Sequence, residues 1–276
     1  MSQQAESMAD WLAFLGQADI PVLKHTAREL ERLRADEALL DARSIAHVVT
    51  DDPLMTVKLL RYMQTHKHHN QKYELVDVKQ ALLMMGMDTF FREVPAMPIA
   101  EDMLHGHLDA LVHLLHTVRR AQRAAQYAFD WALRLHDLHA EEVNVSALLS
   151  PVAEMLMWCY NPGPMLEIRR LQGGDRSRRS ADVQRQVLGF AGVDLQRQLT
   201  LEWQLPELLM SLLDPAQAES PHVSNVMLAV RLARHSAQGW HDAALPDDYR
   251  DIGKMLHMEP NRVMSLVRSG AAAVLR

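Results

Sequence analysis

Fifteen histidines are the first residues in this chain whose type and spacing could do chemistry. His113 and His116 lie three apart, as do His136 and His139. On a helix such pairs share a face, the usual starting point for holding a divalent transition metal. No Cys or carboxylate at helical spacing completes the first pair, and Glu142 extends the second only if its helix runs that far. His-Asp dipeptides occur at His136-Asp137 and His241-Asp242. The plain reading of all these imidazoles is exposed or singly hydrogen-bonded side chains. His66, His68 and His69 sit in a polar stretch, where metal binding would be adventitious.

A second constellation is basic. Arg169, Arg170, Arg176, Arg178, Arg179 and Arg185 outweigh Asp175 and Asp182. Guanidinium forks suit phosphate or carboxylate partners. Gly173-Gly174 would give the following backbone the freedom to let Arg176, Arg178 and Arg179 converge on one phosphate or acidic face. The plain reading is a solvated loop. No phosphate-cradling glycine loop, G-x-S-x-G step or Cys-His pair is present, so other enzyme classes gain no support.

The elements that would position these residues read as helices from one end to the other. Hydrophobic residues make up 48% and charged residues 23%, ordinary globular values, while aromatics reach only 5% and methionines number 17. Strong helix formers therefore dominate over the β-branched and aromatic runs of a sheet. Ala5–Leu15 has helical periodicity, and Pro21 opens a second helix. Asp41, Asp52 and Asp77 are placed to cap three more, with Pro53 as a first helical residue and Gly86 as a stop. Pro95 and Pro98 mark a break between lobes. A long helix is expected from about His107 to His136, then a buried one along the apolar run Val145–Tyr160. Arg169–Arg185 reads as a loop. Val183–Phe190, Leu195–Trp203, Pro206–Leu213, Val223–Gln238 and Tyr249–Leu275 supply the remaining helices.

Charge and cysteine usage narrow the setting. The net charge of −6 gives no overall pull toward nucleic acid or anionic membrane. Asp251–Val263 reads as helix, short turn, helix, in a modestly basic segment from Arg250 to Arg276. That pattern resembles a DNA-binding helix-turn-helix, but a packed helical hairpin is the plainer reading, so nucleic acid is not an expected partner. A lone Cys159 in an apolar run suggests a reducing compartment. There is no signal-peptide pattern at the start and no run of about 18 apolar residues. A cytoplasmic protein without membrane contact is expected.

Two ordered blocks resemble the HDOD family, regulatory relatives of the HD-type metal phosphohydrolases. The first runs Ile45-Ala46, Asp52-Pro53-Leu54, Lys58-Leu59-Leu60-Arg61, then Val78, Ala81-Leu82 and Met85-Gly86-Met87. The second is Leu201-Glu202-Trp203-Gln204-Leu205-Pro206, similar to the family's W-x-L-P step. Gln64-Thr65 stand where the family usually has Asn-Ser, and Asp214-Pro215 where it often has paired His. The resemblance implies an all-α fold of two packed lobes, about 5–100 and 101–276, the second like an HD phosphohydrolase. An active HD centre needs an early His, a His-Asp pair and a later Asp to hold metals that activate water. Aligning Ala147-Leu148-Leu149 with the Leu-Leu-His-Asp step of the HD hydrolases puts Ser150-Pro151 in place of the His-Asp pair. His116 takes the place of the first His, and Glu154 the place of a common Lys. The resemblance therefore implies a bacterial signalling protein without turnover, metal or cofactor, acting through protein partners. A nucleotide-binding sensor, a degenerate phosphohydrolase and a DNA-binding regulator remain as alternatives. Trp203, Leu205 and Pro206 are expected to be structural.

Overall fold

The computed structural model describes residues 7–273 except 37, 67–76, 176–177, 206, 213–216 and 218, with backbone alone at 270–273. Helices carry the whole fold, and no strand is present among the described residues. α1 (Met8–Gln17) starts at a reciprocal cap. The Ser7 hydroxyl accepts the Asp10 N–H at 3.3 Å, and the Asp10 carboxylate accepts the Ser7 N–H at 3.1 Å. The chain then runs extended. Val22 donates its N–H to Pro98 O and accepts from the Ala100 N–H, both at 2.9 Å. This pairing takes Pro21 out of the helix expected to begin there, and α2 (Lys24–Ala35) starts three residues later.

The next starts follow the aspartates. α3 (Ala42–Asp51), α4 (Pro53–Thr65) and α5 (Val78–Met85) are capped by Asp41, Asp52 and Asp77, each accepting N–H groups of its first turn. Pro53 occupies a position whose N–H would be spare anyway. Gly86 ends α5 at φ 80°, a conformation that costs other residues more. α6 (Met87–Glu93), α7 (Ala100–Met103) and the long α8 (Leu108–Arg134) follow.

Two expectations are corrected here. The apolar run Val145–Tyr160 forms two helices, α9 (Ala140–Leu149) and α10 (Val152–Tyr160), broken at Ser150-Pro151. Pro151 has no N–H to continue the ladder, and its ring crowds the preceding turn. The supposed loop Arg169–Arg185 is mostly helix. α11 (Pro162–Gly174) carries Gly173-Gly174 as its last residues, and α12 (Ser180–Leu188) begins soon after. Glu167 and Arg170, paired at 2.7 Å one turn apart, support the extension of α11.

The bundle finishes with α13 (Gly192–Glu202), α14 (Glu207–Ser211), α15 (Pro221–His235), α16 (Leu245–Leu256) and α17 (Pro260–Ala273). α16 turns into α17 through His257, at φ 53°, with the Met258 N–H on Gly253 O at 2.9 Å. The approach is close enough that a Cβ on Gly253 would lie 2.6 Å from Met258 O.

Apolar side chains gather in two clusters. The smaller joins Val22, Leu30, Ile45, Val49, Leu59, Leu82 and Phe90 from α2 to α6 and the segment before them. The larger is built on α8, α9, α10, α13 and α15, and includes Trp131, Trp158, Leu149 and Leu232. α4 serves both, giving Met55 and Leu59 to one and Leu54, Val57 and Leu60 to the other. α1 precedes the smaller cluster in sequence, yet its Trp11 and Leu15 belong to the larger one. Full burial of such a side chain contributes about 1.5–3 kcal/mol.

Candidate functional site

The position aligned with metal chemistry is the corner between α9 and α10, faced by α8 and α13. Ser150 and Pro151 form the corner itself. The Ser150 hydroxyl donates to Ala147 O at 2.9 Å, so it serves the end of α9. Gln196, buried on α13, braces both sides of the break. Its Oε1 accepts the Ala153 N–H at 2.7 Å and its Nε2 donates to Leu149 O at 3.2 Å. These bonds satisfy backbone groups that Pro151 leaves without helical partners.

Above the corner, Glu154 gathers donors from three directions. Its Oε1 accepts from Thr117 Oγ1 at 3.1 Å, Arg120 Nη2 at 3.1 Å and Trp158 Nε1 at 3.4 Å. An Arg–Glu ion pair thus spans α8 and α10 where the resemblance places a metal centre. His116 is exposed on α8, and its ring centroid lies 6.4 Å from that of His113. His113 stacks on the Trp158 indole at 5.1 Å. Burial, helped by nearby Arg169 and His116, pushes the His113 pKa down and favours the neutral ring. Among the described residues, no group of three or more His, Cys, Asp or Glu is placed to hold a metal ion.

Four residues of the family resemblance, Asp52, Lys58, Arg61 and Trp203, lie elsewhere, along a seam that holds the end of α1 and the extended chain up to Leu23. Asp52, fully buried, accepts N–H groups from Leu54 and Met55 of its own helix and from Leu23 across the seam at 2.8 Å. Burial nevertheless raises its carboxyl pKa. Lys58, 7% exposed, donates to Asp19 Oδ1 and Ile20 O, each at 3.1 Å, and to Met97 O. Burial holds its pKa below the ordinary lysine value, against the pull of Asp19. Arg61 donates to Ala18 O at 2.9 Å and lies 5.4 Å from the centre of the Trp203 ring. Trp203 is buried and donates its indole N–H to Gly16 O at 3.2 Å. The structural roles expected of Trp203 and Leu205 agree with their burial; Pro206 lies outside the described residues.

The Arg segment is only partly described. Arg176 lies outside the described residues. Arg178 reaches the Gln186 side-chain oxygen, and Arg179 stands just before α12. Arg170 and Arg185 pair within their own helices, with Glu167 and Asp182. Of the histidines, His139 pairs with Glu142 at 3.0 Å, the spacing noted in the sequence. The ring of His139 also faces that of His222 at 5.1 Å, and His222 pairs with Asp137 at 3.0 Å, a neighbour no sequence pattern signalled. Cys159 is buried, and burial pushes its thiol far up, which keeps it protonated and unreactive.

The described residues thus form an all-helical bundle whose α9–α10 corner is braced by the Gln196 amide. Residues 20–218 match the HDOD domain family, and the chain belongs to that family. It is similar in fold to the MmoQ response regulator of Methylococcus capsulatus, at 15% identity and a TM-score of 0.68, covering 91% of this chain and 99% of that one. A virulence factor of Campylobacter jejuni matches at 15% identity and a TM-score of 0.66, over 90% and 88% of the two chains. An HDOD domain protein of Geobacter sulfurreducens matches at 13% identity and a TM-score of 0.53, over 97% and 94%. No curated protein matches the sequence. No helix among the described residues is long and apolar enough to cross a membrane.

Proposed function

We infer that this chain is a regulatory module of signal transduction that works by protein contact and catalyses no reaction. The α9–α10 corner carries the reading. Pro151 offers no ligand atom, Ser150 is a weak one already engaged with Ala147 O, and the Arg120–Glu154 pair crosses the space between α8 and α10. A metal hydroxide needs several deprotonated ligands converging on one point, and this corner presents an amide brace and a closed ion pair instead. The family assignment and the response-regulator name of a fold relative support the signalling half of the reading. Within the proposed two-lobed unit, Arg176, Arg178 and Arg179 serve as a contact surface for an acidic or phosphorylated partner. The test is an assay of the purified chain with Mn²⁺, Fe²⁺ or Mg²⁺ against cyclic dinucleotides and nucleotide phosphates. No turnover above a no-protein control is expected. Metal-dependent turnover that disappears in His116→Ala would overturn the proposal.

A further inference from the structure

The helices after residue 218 lie beyond the matched family segment, and the last of them leaves an open cleft against the family core. The cleft, about 300 Å³, lies between the C-terminal half of α8 and α17. Its buried aromatic side is formed by Tyr127 and Trp131, whose rings stack in parallel with centroids 5.7 Å apart. Leu266 and Val267 of α17 give it an aliphatic side. Asp130 and Arg134 stand on its exposed rim, four residues apart and hence neighbours on one face of α8.

The two charges on the rim stand without a partner. Asp130 and Arg134 form no ion pair with each other or with any other described residue, although they are close enough to interact electrostatically. Partial burial raises the Asp130 carboxyl pKa, against a smaller lowering by Arg134.

We propose that this cleft binds a free amino acid, or a small zwitterion of the same class, between α8 and α17. The ammonium sits on Asp130, the carboxylate on Arg134, and the ligand's apolar side chain lies against Trp131 and Leu266. A carboxylate and a guanidinium on the same rim select a molecule carrying both charges over a simple amine or acid. The volume stands at the small end of small-molecule sites, which fits one compact metabolite. A bound ligand would tie α17 to the family core and so supply a signalling module with an input.

The experiment is ligand-observed NMR and calorimetry on the whole chain with each of the twenty standard amino acids, supplemented by 3-methylbutylamine and 4-methylpentanoate, the two single-charge analogues of leucine. At least one amino acid should bind saturably in the millimolar range or tighter. Each single-charge analogue should bind about ten-fold more weakly than leucine, as expected for loss of one charge-assisted contact. Asp130→Asn should abolish the preference over 4-methylpentanoate, and Arg134→Gln that over 3-methylbutylamine, without changing the unfolding temperature of the ligand-free protein. Three results would each overturn the proposal: no saturable binding by any amino acid, binding untouched by both substitutions, or equal binding of the amine or the acid alone. None of these bears on the absence of turnover, so the two proposals fail separately.

Discussion

The seam around Lys58 and the corner around Glu154 both place charged side chains between helices, yet they satisfy different kinds of partner. Along the seam, Lys58, Arg61 and Trp203 donate to main-chain carbonyls at the end of α1, in the extended chain after it and at Met97. At the corner, Glu154, Arg120 and Thr117 mainly satisfy one another. A carbonyl is fixed by the backbone path, so the side chain that reaches it must have a given length and donor. Side chains that pair among themselves can be exchanged together for another pair or for apolar residues of similar volume. The seam therefore demands residue types, and the corner only demands complementarity.

The largest test of this contrast is Trp203→Ala. It removes a buried indole together with the donor to Gly16 O, and should destabilise by roughly 3–5 kcal/mol in urea unfolding. Unchanged stability would dissolve the seam as a structural unit and make Trp203 a contact residue.

Lys58→Met comes next, leaving Ile20 O and Met97 O without their donor, at a cost of about 1–3 kcal/mol. The pH dependence sharpens it. Because burial depresses the folded pKa, the unfolded chain holds the Lys58 proton to higher pH than the folded one. Stability from this residue therefore rises as pH climbs from the folded value to the ordinary lysine value, and is flat below. Denaturation curves across that alkaline window should show the rise in the natural protein and lose it in Lys58→Met.

At the corner, Arg120→Met should cost only about 1 kcal/mol or less, since both partners are about one-third exposed and solvent screens the pair. A loss as large as that of Trp203→Ala would erase the distinction between the two regions. The smallest effect on folding is expected from replacing Arg176, Arg178 and Arg179 together with Ala, within about 0.5 kcal/mol of the natural protein. Capture of partners by the triple variant, compared with the natural chain, should fall. Full retention would reduce these side chains to solvating charges.

The same contrast accounts for what the sequence disclosed. Caps at Asp41, Asp52 and Asp77 and the stop at Gly86 were legible because each satisfies or bends local backbone. The family blocks were legible because seam residues answer to fixed carbonyls. Pro151 stood in plain view, but its power to split Val145–Tyr160 was outweighed by the continuous apolar pattern around it. Gly173-Gly174 misled in the other direction, since a helix held by its neighbours tolerates glycine near its end. The Glu154 network, the Gln196 brace and the His139–His222 contact left no local trace, because Arg120 lies 34 residues from Glu154, Leu149 lies 47 from Gln196, and the two His rings meet only through tertiary packing.

Gly253 shows how one missing atom can govern a distant surface. The oxygen that a side chain there would strike belongs to the main chain of the turn, which has no rotamer to swing aside. A substitution as mild as Gly253→Ala must pry α16 from α17, and the displacement travels outward along the 14 residues of α17. Position 253 therefore tolerates one amino acid for mechanical reasons, and descendants of this chain can vary the face of α17 freely only while that residue stays bare.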